Sequence, residues 1–331
     1  MNDAPHKPDG RRLSVAPMMD WTDRHCRYFL RLISPRVRLY TEMVTAAALA
    51  HGDAERLLDF AEFEHPVALQ VGGSDPALMA AAAVMGEQRG YDEININVGC
   101  PSDRVQSGRF GACLMVEPET VAACVTAMRD AVDVPVTIKS RIGIDDHDDY
   151  DFLKRFIVAQ AEAGCRVFVV HARKAILQGL SPKENRTVPA LDYARVYRLK
   201  AEFPDLTIVL NGGVTSLDQC HEHLAHIDGV MIGRQAYHDP YLLAELEASL
   251  LATEDWQAPG RDEVVQRMLP YIERELAGGA DLQHITRHML GLYSGQPGAR
   301  HWRRHLSENA HRRNAGPEVV QAALEKVRQS G

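Results

Sequence analysis

Between Leu13 and Ile232 the chain repeats one pattern: a short apolar, β-branched run, then a longer stretch with the periodicity of an amphipathic helix. Eight runs read as strands: Leu13–Ala16, Val37–Tyr40, Val67–Gln70, Glu93–Asn97, Val134–Lys139, Val167–His171, Thr207–Asn211 and Gly229–Ile232. Most are separated by one helix length. Pro76–Arg89 is rich in Ala and Met, Pro118–Val132 opens with acidic residues in its first turn, and Asp151–Gly164 ends on a glycine stop. Strands alternating with helices run parallel through right-handed crossovers. Eight of them predict an α/β fold, a (β/α)8 TIM barrel. The rival, an open doubly wound sheet, lacks its fingerprint, because no GxGxxG follows the first strand.

After Pro240 the strand signal stops. From Leu246 onward there is only helical periodicity, broken at Ala258-Pro259-Gly260, Gly278-Gly279 and Gly295–Gly298. The expected organisation is a polar, disordered tail over residues 1–11, a barrel over residues 12–245 and a C-terminal all-helical domain over residues 246–331.

Within the fourth run, Ile94, Ile96 and Val98 alternate with Asn95 and Asn97, and Gly99 and Pro101 bracket Cys100. Two asparagines in a buried strand need polar partners. Cys100 therefore stands at the carboxyl end of a strand, where barrels place their chemistry. Taken alone, it also fits a structural cysteine in a tight turn. The other ends carry Pro17-Met18-Met19, Glu42, Gln70, Lys139 with Arg141, His171 with Arg173, Asn211-Gly212-Gly213 and Gly233-Arg234. Burying such groups unpaired costs about 1–3 kcal/mol each, so the set reads as a site rather than as core. The glycine turns after the seventh and eighth strands match the usual phosphate position of this fold, and Arg234 adds a fork-shaped cation. A phosphorylated ligand is expected. Lys139 suits either an aldolase Schiff base or a reduced flavin. Gln70 and His171 offer donors, and Pro17–Met19 an apolar wall. Spacing alone leaves FMN and a sugar phosphate open.

Composition narrows the setting. At 45% hydrophobic and 25% charged residues the chain is ordinary for a soluble globular protein. It has no apolar run long enough for a membrane span and no signal-peptide core near Met1. Six cysteines without a CxxC pair argue against zinc and disulfides and fit the cytoplasm. Cys26, Cys113, Cys124, Cys165 and Cys220 read as structural. The net charge of -8 hides an asymmetry. Between Gln283 and Gly316, Arg287, Arg300, Arg303, Arg304, Arg312 and Arg313 face Glu308 alone, and five histidines lie among them. Such a patch is either a solvated helix face or a phosphate-binding surface.

Several stretches resemble the motifs of tRNA-dihydrouridine synthases: Ala16–Asp23, Asn97–Ser102, Lys139-Ser140-Arg141, His171-Ala172-Arg173, Asn211-Gly212-Gly213 and Gly233-Arg234. Val105–Met115, Gly179–Arg186 and Arg300–Arg304 are similar to the A-type bacterial branch, which acts on D-loop uridines 20 and 20a. The likeness covers nearly the whole chain. It implies FMN in the barrel mouth, NADPH as reductant and tRNA as substrate. FMN would touch Pro17, Met18, Met19, Gln70, Lys139, His171, Asn211, Gly212, Gly213, Gly233 and Arg234. Cys100 would be the catalytic acid, and Asn97, Lys183, Arg186, Arg300 and Arg303 would face the tRNA.

The residue types suit that chemistry. Reducing the uracil 5,6 bond needs a hydride at carbon 6 and a proton at carbon 5. An ordinary thiol is protonated at neutral pH, and no His or carboxylate adjoins Cys100 in sequence to draw its proton away. The base must leave its stack to react. Asn97, with donor and acceptor, could read its edge, and Ser107–Gly111 resembles a lid. Three alternatives stand beside this one: an FMN barrel dehydrogenase for a small molecule, a non-catalytic tRNA-binding protein, and a sugar-phosphate aldolase.

Overall fold

The computed structural model describes residues 11–102, 108–253 and 255–330. Most of the expected tail and Ser107 of the expected lid lie outside the described residues. Cα proximity divides the chain into two compact units. Among the described residues, one comprises 11–19, Arg38–Phe60 and His65–Gly233; the other comprises Asp20–Val37, Ala61–Glu64 and 234–330.

The first unit is the expected barrel. Its strands are β1 (Leu13–Val15), β2 (Leu39–Thr45), β3 (Val67–Gly72), β4 (Glu93–Val98), β5 (Val136–Arg141), β6 (Val167–His171), β7 (Thr207–Asn211) and β8 (Gly229–Ile232). All pair in parallel, in the order β1-β8-β7-β6-β5-β4-β3-β2. The ring closes at a Ser14–Arg38 bridge, with Val15 N donating to Arg38 O at 2.9 Å and Arg38 N to Leu13 O at 3.2 Å. Two strands are displaced from their expected places. β2 runs on past Tyr40, with a register shift between Tyr40 and Met43, so Glu42 lies inside the strand and not after it. β5 begins after Pro135, which has no N–H for the ladder.

Outward residues of the strands carry the helices. Helix Pro76–Arg89 is capped by Asp75 and buries Met79, Ala82, Ala83 and Gly86. A Cβ on Gly86 would come within 2.6 Å of Ile94 Cδ1 and 2.8 Å of Leu69 Cδ2, so the helix lies directly on β3 and β4. The interior divides by polarity. Ala16, Tyr40, Ala68, Val169, Val209 and Met231 form an apolar cluster with Met18 packed on it. Gln70, Glu93, Asn95, Asn97 and Thr137 are equally buried but polar.

The second unit gathers the C-terminal helices, chiefly Arg261–Ala277, Ala299–Asn309 and Pro317–Arg328, with the early helix Arg24–Ile33. Ion pairs organise it. Asp23 caps Arg24–Ile33 and also meets Arg287 at 2.5 Å and the buried His288 at 3.0 Å. Arg27 pairs with buried Glu64 at 2.6 Å, and Ser34 and Arg36 share buried Glu247. Trp302 is fully buried, its Nε1 donating to Met289 O at 2.9 Å, so it packs the bundle. Burial pushes the Asp23 carboxyl up, but His288, the Cys26 amide and Arg287 outweigh it and hold it below the usual carboxylate range. Its contribution is therefore present above the unfolded carboxylate pKa and is lost as pH falls through the folded one. Asp23→Asn is expected to cost about 2–3 kcal/mol at pH 7. Thermal melts should show the gap between variant and parent narrowing below about pH 4. No described helix is long and apolar enough to cross a membrane.

Candidate active site

β4 ends in a turn held from several sides. Asn97 Oδ1 accepts from the backbone N–H of Gly99 at 3.1 Å and of Cys100 at 3.0 Å. Arg141 Nε donates to Gly99 O at 3.1 Å, and Ala112 N donates to Cys100 O at 2.9 Å. The half-buried Cys100 thiol lies 3.6 Å from Ser102 Oγ. With both lone pairs of its oxygen engaged by the turn and one Nδ2 hydrogen on Gln70 Oε1 at 2.9 Å, Asn97 can offer a ligand one N–H.

The neighbouring strand ends supply charge and donors. Gln70 is almost fully buried, one strand over on β3. Lys139 lies opposite Asn97 in the β4–β5 register and has no hydrogen-bond or ion-pair partner among the described residues. Burial, then Arg141, pushes its ammonium down to about 7, while Cys100 opposes the shift. His171, at the end of β6, is driven well below the ordinary imidazole range by burial and by Arg141, Lys139, Arg173 and Arg186, so it is neutral.

After β7, Asn211 Nδ2 donates to Met231 O at 2.8 Å, which leaves the turn to two glycines. Gly212 and Gly213 have φ of +111° and +77°. A Cβ on Gly212 would sit 2.6 Å from His171 Cδ2, and one on Gly213 would sit 2.5 Å from Tyr193 Oη. Only glycine fits at either position. Gly233, by contrast, faces open space. Arg234 begins the short helix Arg234–His238 of the second unit and is half-buried. Pro17 and Met18 are half-buried, whereas Met19 is exposed. Among the described residues no cluster of His, Cys, Asp or Glu could hold a metal.

Lys183 and Arg186 lie exposed on the loop after β6, around the single turn Glu184–Arg186. The buried Asn185 shapes that loop, bonding Ile176 N and O at 2.8 Å each. In the sequence Asn185 stands out only as part of the Gly179–Arg186 stretch, and Arg141 only as a polar strand end. Arg141 Nη1 reaches Asn185 O at 2.8 Å, so one buried guanidinium ties the cysteine turn to the basic loop. The available signal was the alternation Thr137, Lys139, Arg141, which turns all three inward. Of the lid stretch, Gly108 and Arg109 are exposed, and Phe110 is buried against Gly72. Cys113 Sγ donates to Phe110 O at 3.1 Å, and burial, with Glu117, pushes its thiol up.

In the second unit the arginine patch is smaller than its count. Arg287 is engaged by Asp23 and Arg304 by Glu308 at 2.8 Å, and His288 is buried. Arg300, Arg303, Arg312 and Arg313 remain exposed, with no ion pair among the described residues.

A closed parallel barrel with a lysine, a neutral imidazole, a thiol and glycine turns at its strand ends has the architecture on which (β/α)8-barrel enzymes place their sites. Residues 14–328 match the family described as dihydrouridine synthase (Dus), and the chain belongs to that family. It is 61% identical to the tRNA-dihydrouridine(20/20a) synthase of Vibrio cholerae over 317 residues, 96% of each chain. Against the proteins of the same name from Yersinia pestis and Escherichia coli K12 it is 60% and 59% identical, covering 96% of this chain and 92% and 91% of theirs.

Proposed function

We propose that the protein is a cytoplasmic, flavin-dependent tRNA-dihydrouridine synthase that uses FMN and NADPH to reduce D-loop uridines 20 and 20a. The observation that carries this reading is the grouping at one barrel mouth of the Cys100 turn, a lysine with no hydrogen-bond partner among the described residues, and a neutral histidine. Its support is the high identity to relatives named for the 20/20a reaction. FMN suits these residues. Gly212 and Gly213, at positive φ where a side chain would clash, let the backbone itself approach a phosphate, and Lys139 offers an ammonium with no ion-pair partner among the described residues. Met18, seated on the apolar core, and Pro17 supply a wall for a flat ring. Gln70 and His171 supply donors, and Gly233 and Arg234 extend the phosphate end.

When bound and reduced by NADPH, FMN supplies the hydride for carbon 6 of the base. The chain's own part is acid–base and positional. Cys100 gives its proton to carbon 5, and its half-exposed sulfur recovers one from solvent. Asn97 offers one N–H to the extruded base, while Arg141 and Ala112 keep the cysteine turn in place. Lys183, Arg186, Arg300 and Arg303 take tRNA phosphates. The purified protein with FMN and NADPH should form dihydrouridine in unmodified tRNA. A colourless, flavin-free protein, or a flavin that NADPH bleaches without any change in tRNA, would defeat the reading.

With four arginines of the patch exposed and without an ion pair among the described residues, binding should be strongly salt-dependent. The log–log slope of tRNA affinity against salt should flatten by about 0.7–0.9 for each arginine removed. Removing Arg304, already held by Glu308, should flatten it less. Filter binding across a salt series measures both.

A further inference from the structure

The polar half of the barrel interior is one continuous hydrogen-bond chain. Its floor is the fully buried Glu93 carboxylate at the start of β4. Arg11 Nε and Nη2 reach Glu93 Oε2 at 3.3 and 3.0 Å, and Arg38 stands at 3.6 Å. Oε1 accepts from Tyr40 Oη at 2.8 Å and from Thr137 Oγ1 at 2.7 Å. Asn95 Nδ2 donates to Thr137 Oγ1 at 2.8 Å, and Gln70 Nε2 donates to Asn95 Oδ1 at 2.8 Å. Asn97 Nδ2 then donates to Gln70 Oε1 at 2.9 Å, and Asn97 Oδ1 accepts the Gly99 and Cys100 amides.

Every link has a fixed polarity. At the top, two backbone N–H groups require the Asn97 oxygen to face them. Its amide nitrogen then meets the Gln70 oxygen, the Gln70 nitrogen meets the Asn95 oxygen, and the Asn95 nitrogen meets the Thr137 hydroxyl. That hydroxyl must send its hydrogen onward to Glu93. At the bottom, the Glu93 carboxylate is ringed by donors, with Arg11 and Arg38 on one oxygen and the Tyr40 and Thr137 hydroxyls on the other, so the chain ends there on an acceptor. Both ends impose the same direction, and turning any one amide over would oppose like groups at two contacts.

We infer that Glu93, Thr137 and Asn95, all away from the barrel mouth, are positioning residues for the reaction. They fix which way the Gln70 amide presents to the cofactor and hold the Asn97–Cys100 turn in register. Gln70 keeps one Nε2 hydrogen for the mouth, and its direction is set from the floor. This rests on the reading of Gln70 as a flavin contact and of Cys100 as the acid.

Thr137→Val replaces the hydroxyl by a methyl of similar size and cuts the chain, whereas Thr137→Ser keeps the hydroxyl. Both should load FMN. Thr137→Val should lower kcat about tenfold or more with KM for tRNA within about twofold. It should also displace the visible absorption maximum of the bound flavin, and Thr137→Ser should restore both. A Thr137→Val enzyme with the parent's kcat and spectrum, or Val and Ser variants equally impaired, overturns the proposal. If Thr137→Val does not fold, Asn95→Leu cuts the next link and is read by the same two outcomes. The spectrum separates this inference from the acid assignment. Normal turnover by Cys100→Ala removes the acid but leaves the flavin signature of Thr137→Val intact. A silent Thr137→Val beside an inactive Cys100→Ala removes only the chain's positioning role.

Discussion

Cys100→Ala is expected to keep FMN and its reduction by NADPH while losing about 10²–10⁴-fold in dihydrouridine formation, the usual worth of a positioned proton donor. The separation of the two steps is the diagnostic. The cysteine turn is held by Asn97, Arg141 and Ala112 through backbone atoms, so shortening the side chain leaves its frame in place. Gln70, Lys139, His171 and the β7 glycines, which would hold the flavin, lie on other strands. Single-turnover kinetics with pre-reduced enzyme isolate the tRNA step. Normal turnover there would show that the proton comes from elsewhere.

Lys139→Met is expected to weaken FMN binding and to abolish its pH dependence. In the parent, burial and Arg141 place the ammonium at about 7, so the ligand-free protein loses this charge just above neutrality. Because the charged form favours an electron-rich ligand, binding draws in a proton and affinity falls as pH rises. The fall should be about tenfold between pH 7 and 9, a range in which the phosphate of FMN keeps its charge. Fluorescence titration of the apo-protein measures it. A parent curve flat over that range, or a Lys139→Met curve that still falls, would take Lys139 out of the site.

The fold was largely legible because a strand buried on both faces announces itself. β6, β7 and β8 begin and end where the apolar runs do. β2 was less so, since Glu42 and Met43 interrupt its pattern at the register shift. The early helix Arg24–Ile33 gave no hint of its company. Its place among the C-terminal helices rests on Asp23 meeting Arg287 and His288, residues more than 260 positions away. The same pairing reduces the basic patch, because the acid that neutralises Arg287 lies far outside the window in which charge was counted. At the site, residue types at strand ends were readable from alternation alone. What Asn97 bonds to was not: its oxygen caps its own turn, a three-dimensional fact that periodicity does not encode. Arg141 is legible as a polar strand end, but its bracing role is not, since its partners are backbone carbonyls such as those of Gly99 and Asn185 rather than side chains.

The most direct measurement is dihydrouridine mapping in tRNA from a strain lacking this gene, complemented with the parent or with Cys100→Ala. The account predicts that positions 20 and 20a carry uridine in the deletion strain, regain dihydrouridine with the parent, and stay unmodified with the variant. Dihydrouridine at those positions in the deletion strain, or its full return with Cys100→Ala, would contradict it.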